Sequence, residues 1–245
     1  MRRLAAAALA IALAGCAASP QQRAQQGPKK ATWQAPVVTL AGDEITYRGD
    51  FIFDSGQRVL AVAGAHRVRS LRIWSGGGEV GGAIDTALWL HRNGIDVIVD
   101  GPCLSSCANY IFPAGREKYI VGEGYVAWHG NLQHRLYQDA RGLPKLEGNR
   151  ALFESVAAKE RAFYAETGLN GYIAWFGKIA PYDTWGFYFL SQQDMEYFGL
   201  AGLHVRSDYL ATDHRREKRN LRLLTVDRAV TNPDDPNWLR WPERK

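Results

Sequence analysis

Two serines, Ser105 and Ser106, stand in the run Gly101-Pro102-Cys103-Leu104-Ser105-Ser106-Cys107-Ala108-Asn109-Tyr110. The run follows a strand-like stretch, Ile95 to Val99, opens on Gly101-Pro102, which reads as a turn, and leads into an apolar, helix-compatible segment. A hydroxyl at a strand-to-helix junction sits where backbone N–H groups can face a developing oxyanion and the helix dipole favours negative charge. Serine is also a common helix N-cap, and on these ten residues alone an ordinary capped helix start is the favoured reading. Two other features bear on the choice. Ser75-Gly76-Gly77-Gly78-Glu79-Val80 follows a strand, yet it lacks both the GxGxxG spacing of a dinucleotide site and the Gly-Lys-Ser/Thr of a P-loop. It is either a tight turn or a source of N–H donors. His129 ends the strand-like Tyr125-Val126-Ala127-Trp128, where a lone histidine is ordinarily structural. Together the three supply what acyl transfer needs: a nucleophile, a base to take its proton, and donors for the tetrahedral intermediate.

The elements that must hold these residues follow from periodicity. Val37 to Leu40 and Ile45 to Phe53 alternate and are joined by a Gly42-Asp43 turn, reading as strands. Ser55 to Ala65 reads as a short helix, and Val68 to Trp74 as a strand running into the glycines. Ala83 to Leu90 has helical spacing closed by Asn93-Gly94. Residues 68–99 thus form a βαβ unit, and a second runs from Ile95–Val99 through the serines to Lys118–Val121. Leu132 to Glu147 has no clear period and reads as an exposed loop. Arg150 to Glu166 carries an apolar stripe with charges filling the other face, and Gly168 stops it. Phe187–Leu190 reads as a strand and Ser191–Phe198 as a short capped helix. From Leu210 onward the chain is polar, basic and peripheral in character.

The chain has 245 residues, 46% hydrophobic and 22% charged, with a net charge of +5. That composition suits a folded domain with a sizeable core. Setting Arg2 and Arg3 aside leaves too little excess charge to point to nucleic acid, and the run His214 to Arg219 reads as a solvated face. Arg2-Arg3 precedes a short apolar run, Leu4 to Ala14, too short for a permanent span. It closes on Leu13-Ala14-Gly15-Cys16, which resembles a bacterial lipobox. The resemblance implies a signal peptide over 1–15 and lipidation at Cys16. It also implies a cell-envelope protein, with Ala17 resembling the class directed to the outer membrane and facing the periplasm. Residues 16–36 are polar and Gln/Pro-containing, a tether. Three cysteines are present, and with Cys16 acylated Cys103 and Cys107 remain. Helical residues four apart hold their Cβ atoms roughly 5–6 Å apart, too far for a relaxed bridge. A Cys103–Cys107 disulfide therefore requires a turn between them; bridge and free thiols both stay open. No further ligand set completes a zinc site.

At this point the arrangement resembles the Clp-type serine peptidases and the wider crotonase-like superfamily, over roughly Ile45 to Leu203. Ser75-Gly76-Gly77-Gly78-Glu79-Val80 is similar to the family's Ser-Pro-Gly-Gly-Ser-Val, with Gly76 in place of Pro. Gly101 to Ala108 is similar to its Gly-Gln-Ala-Ala-Ser-Met-Gly-Ala, Val126-Ala127-Trp128-His129 to its Val-Met-Ile-His, and Phe189-Leu190-Ser191 through Gly199-Leu200 to its closing motif. The resemblance implies an α/β fold, a crotonase/Clp-protease-like ββα superhelix of stacked βαβ units over residues 37–210, with 211–245 a basic, peripheral tail. It implies Ser105 as nucleophile (Ser106 if the count is taken back from Gly115), His129 as base, and Gly77 and Ser106 as oxyanion donors. The family's acid falls on Phe187, which cannot orient an imidazole. Asp183 substitutes, or the site works as a Ser-His dyad with a backbone carbonyl or Asn131 holding the ring. The implied activity is peptide-bond hydrolysis without cofactor or metal, on a peptide or protein substrate, with self-association and no nucleic-acid partner. A non-catalytic peptide-binding module and acyl-CoA chemistry are the competing readings.

Overall fold

The computed structural model describes residues 35–140, 150–211 and 220–235. The expected signal segment, Cys16, nearly all of the tether and the basic run 214–219 lie outside them.

Alternating residues make β1 (Val37–Ala41) and β2 (Glu44–Arg48) an antiparallel hairpin, turned at Gly42 (φ 63°). From β2 onward the main sheet is parallel, in the order β1-β2-β3-β4-β5-β8. Here β3 is Ser70–Ser75, β4 Asp96–Leu104, β5 Lys118–Ile120 and β8 Leu203–Val205. Helix α1 (Ser55–Ala63) follows β2, and α2 (Val80–Asn93) is the crossover between β3 and β4. The α2 N-terminus is closed by Glu79, whose carboxylate accepts from Gly81 N (2.8 Å) and Gly82 N (2.6 Å), and Gly94 ends it in the left-handed region. Its Ala83, Ile84, Ala87 and Leu90 are buried in the same core as Leu71, Ile73, Val97 and Val99 of the sheet. This is the α/β class that the periodicities predict: a parallel sheet built from successive βαβ units.

One strand departs from expectation in a way that matters. β4 does not end at Val99 but runs on to Leu104, so Gly101-Pro102 is strand rather than turn. It forks. Val97–Val99 pair with β5, whereas Pro102, Cys103 and Leu104 pair in parallel with Tyr125, Val126 and Ala127 of β6 (Tyr125–Ala127). Gly101 permits the extension, because a Cβ there would fall 1.7 Å from the Trp74 ring. After β4 a π-helical segment, Cys107–Ile111, continues into α3 (Phe112–Ala114).

Two further expectations need correction. Leu132–Ala140 is helix α4, not an exposed loop. Its buried face carries Gln133 and His134, polar residues that leave no apolar period to read. Residues 141–149 of the same expected loop are outside the described chain. Likewise the C-terminal region is not wholly peripheral: β9 (Leu221–Leu224) pairs in parallel with β7 (Phe187–Leu190), burying Leu221 and Leu224. The long helix α5 (Arg150–Thr167) and the short α6 (Gln192–Tyr197), capped by Ser191 Oγ, form as the sequence predicts.

Candidate active site

The fork in β4 brings the chemistry together. Because β4 and β6 are parallel neighbours, the residues leaving their C-terminal ends emerge side by side, the usual place for a ligand in an open α/β sheet. Ser105 extends the ladder by donating its N–H to Ala127 O (3.2 Å), then turns sharply with φ 54°. A serine in that region is strained, which the surrounding structure must enforce. Its carbonyl accepts from Asn109 N (2.8 Å), starting the helical segment at once. The Ser105 Oγ then lies 2.7 Å from His129 Nε2. Ser106 points elsewhere: its Oγ donates to Gly78 O at 2.9 Å. Cys103 and Cys107 bracket the turn as a disulfide, their Cα atoms 5.2 Å apart. The bridge forms because Cys103 sits in a strand and only Cys107 is helical.

The glycine run lies against this turn, with a reassignment inside it. Gly77 (φ 99°) is where the chains approach most closely, since a Cβ would stand 2.6 Å from Ser105 Cβ and 2.7 Å from Leu104 O. Its N–H, however, donates to Ser75 Oγ (3.2 Å), so the oxyanion donor expected at Gly77 is already engaged. Gly78 differs. Its neighbours pair with Phe51 in a parallel bridge, Phe51 N to Gly77 O (2.7 Å) and Glu79 N to Phe51 O (2.8 Å). In such a ladder the bridged residue turns its own N–H and C=O to the other side. On that side Gly78 O meets Ser106, and Gly78 lines the cavity that holds Ser105.

That cavity, about 640 Å³, is also lined by His129, Asn131, His134, Arg135, Lys178, Asp183 and Trp185. His129 is held from behind. Trp128 exchanges backbone hydrogen bonds with Tyr188 (2.8 and 2.9 Å), and its Nε1 donates to Ala108 O (3.1 Å). The same pairing carries the Phe187 ring to 4.4 Å from the imidazole, centroid to centroid. Phe187, where the resemblance places an acid, is therefore packed on the histidine as an apolar face. Asp183 (φ 41°) lies on the same cavity and is exposed, but among the described residues no hydrogen bond joins its carboxylate to the imidazole. Asn131 is committed otherwise. Its Oδ1 accepts from His134 N (3.0 Å) at the start of α4, and its Nδ2 reaches Gln133, Tyr164 and Gly171 O.

Several groups here escaped the sequence reading. Lys178 projects from a short 3-10 turn (Phe176–Lys178), its ammonium donating to Thr184 O (2.5 Å) and Gly186 O (3.1 Å). Burial holds its pKa below the ordinary lysine range. His134 is pushed down to about 4, first by burial and then by Lys178, Arg135 and His129. Beneath the cavity, Glu160 of α5 is fully buried and accepts from Tyr110 OH (2.6 Å) and Leu132 N (3.4 Å). Burial pushes its carboxyl up to about 7. A signal for Glu160 did exist: it is four residues from Val156 and three from Phe163, on the apolar stripe rather than opposite it. Lys178, Arg135 and His134 reach the cavity through irregular or unpatterned segments and had none.

No family model matches the chain. No curated protein matches it either. Among solved structures it is similar to an enoyl-CoA hydratase from Mycobacterium avium subsp. paratuberculosis K-10, at 13% identity and a TM-score of 0.30. That match covers 37% of this chain and 48% of the hydratase, so it spans about half the length of the relative. A likeness of that extent decides nothing about chemistry, which rests on the geometry of Ser105 and its neighbours.

Proposed function

We propose that the protein is a serine hydrolase that cleaves peptide bonds, of the Clp-like type its motifs resemble, anchored in the bacterial envelope through Cys16. The observation that carries this reading is the 2.7 Å contact between Ser105 Oγ and His129 Nε2, made by a serine whose backbone is held at φ 54°. With the ring proton on Nδ1, Nε2 accepts the Ser105 proton as Oγ attacks the substrate carbonyl carbon. Gly78 N–H and Ser106 N–H stabilise the oxyanion, Gly78 in place of Gly77. The imidazolium then protonates the leaving amine, and a water activated by the same nitrogen releases the acyl group and restores the serine. The Phe187 ring packs on the imidazole and fixes its plane by contact, and the steps above need only the Ser105–His129 pair. A dyad retains much of the catalytic effect, because the acid mainly sets tautomer and orientation. Among the described residues Asp183 is the one carboxylate lining the cavity.

The test is labelling of the folded, full-length protein with a serine-directed fluorophosphonate, alongside turnover of a peptide library. Wild type labels at Ser105, and Ser105→Ala and His129→Ala each lose about 10³-fold or more in turnover. Equal turnover by wild type and Ser105→Ala would overturn the reading. The Phe187 substitution favours a second one, a peptide-binding module that has kept the cleft; unlabelled but peptide-binding protein is its signature.

A further inference from the structure

We propose that the cleft beside Ser105 is a carboxylate-recognising subsite, so that the substrates of the hydrolase inferred above bear a carboxylate near the scissile bond. The proposal rests on that hydrolase reading only for its mention of a scissile bond; the subsite itself stands on the cations lining the cavity.

Lys178 and Arg135 both line it. Elsewhere the arginines of the described chain are largely neutralised: Arg48, Arg58, Arg72, Arg92 and Arg116 each reach an aspartate or glutamate. Arg135 forms no ion pair among the described residues, though it is exposed on the first turn of α4, six residues after His129. Lys178 is held by two neutral carbonyls rather than by a carboxylate, which leaves one N–H of its ammonium for a ligand. Those carbonyls belong to Thr184 and Gly186, just before Phe187, whose ring rests on His129. The cation is thereby tied to the residue that touches the base. Both cations lie close enough to His134 to add to the effect of its burial in disfavouring its protonation. Asp183 is the opposing charge, and among the described residues it pairs with neither cation. Among the described residues lining the cleft, two cations stand against one carboxylate, which leaves room for a second. Trp185, 86% exposed on the same cavity, offers an indole face to the aliphatic part of such a ligand.

An acidic side chain and a free chain terminus present the same chemistry, and binding separates them. Equilibrium affinities are measured for full-length Ser105→Ala, where turnover cannot interfere. The ligands are fluorescent peptides: one with an internal Glu and an amidated C-terminus, its amidated Gln counterpart, and the same Gln peptide with a free C-terminal carboxylate. At low salt at least one carboxylate form binds about tenfold tighter than its neutral counterpart, as a charge-assisted contact requires. The advantage shrinks with added salt and falls to about twofold in Arg135→Gln and in Lys178→Met. Arg135 is exposed, so its variant keeps the test valid if Lys178→Met fails to fold. Preference for the internal Glu assigns a side-chain subsite; preference for the free terminus assigns a terminal one. Equal affinity for all three peptides, or a preference unmoved by Arg135→Gln, overturns the proposal. Fluorophosphonate labelling of wild type reports separately on the hydrolase reading, so the two can fail independently.

Discussion

At Ser105 two rarely combined properties meet: a left-handed backbone on a non-glycine residue and a hydroxyl 2.7 Å from an imidazole nitrogen. Neither is needed for a helix cap, which asks only for an extended residue whose oxygen accepts from the following N–H groups. The neighbouring serine supplies the contrast. Ser106 spends its hydroxyl on Gly78 O, so Ser106→Ala removes a buried hydrogen bond worth about 1 kcal/mol but leaves the backbone N–H in place. That variant is expected to label with fluorophosphonate and to lose no more than about tenfold in turnover, whereas Ser105→Ala does not label. The reverse pattern, measured by intact mass after labelling, would move the nucleophile to Ser106. The residue types at the site were legible from the sequence, since serine, histidine and glycine run in one order there. Which glycine donates was not. That depends on Ser75 Oγ capturing the Gly77 N–H and on Phe51 pairing around Gly78, contacts set by tertiary structure.

At the scale of elements, β4 does the positioning. Its nine residues pair with β3 on one edge and with β5 and then β6 on the other, and its last three deliver Ser105 beside the end of β6. The βαβ units could be read from hydrophobic runs and glycine ends, because burial on both faces of a parallel sheet writes itself into composition. The fork could not. Gly101-Pro102 looks like a turn until Trp74 is known to lie over Gly101 and Tyr125 to pair with Pro102. For a related reason α4 stayed hidden, its inner face being polar. The disulfide links β4 to the π-helical segment across the strained serine. Closing so short a loop contributes about 2 kcal/mol at most through the unfolded chain. Its larger effect is local, holding Ser105 in a conformation it would otherwise leave. Reduction is expected to slow fluorophosphonate labelling about tenfold while the far-ultraviolet circular dichroism stays unchanged. An unchanged labelling rate would mean that the Ser105 N to Ala127 O bond suffices to hold the turn.

For the whole molecule, two buried titrating groups, His134 on α4 and Glu160 of α5 packed against its start, set opposite pH dependences. Glu160 is pushed up to about 7 by burial, above the value near 4.5 of an unfolded chain. Between those values the folded protein holds a proton that the unfolded chain has released. Stability from this group is therefore complete below about 4.5 and falls as pH rises toward 7. His134, pushed down to about 4 from an ordinary value of 6.5, behaves the other way. The unfolded chain holds the extra proton between 4 and 6.5, so stability rises with pH across that window and is lost as pH falls through it. Each slope is about 1.4 kcal/mol per pH unit for one proton. From about pH 4.5 to 6.5 they cancel, and in wild type these two groups contribute little net dependence there. Removing either partner uncovers the other. Urea denaturation across that window is expected to show His134→Asn losing stability as pH rises and Glu160→Gln gaining it, each relative to wild type. Glu160→Gln keeps an acceptor for Tyr110 OH and Leu132 N, so the amide preserves the contacts while abolishing the titration. Parallel stability curves for all three proteins would show that neither group titrates differently on folding, and would remove the electrostatic account of the floor beneath the cleft.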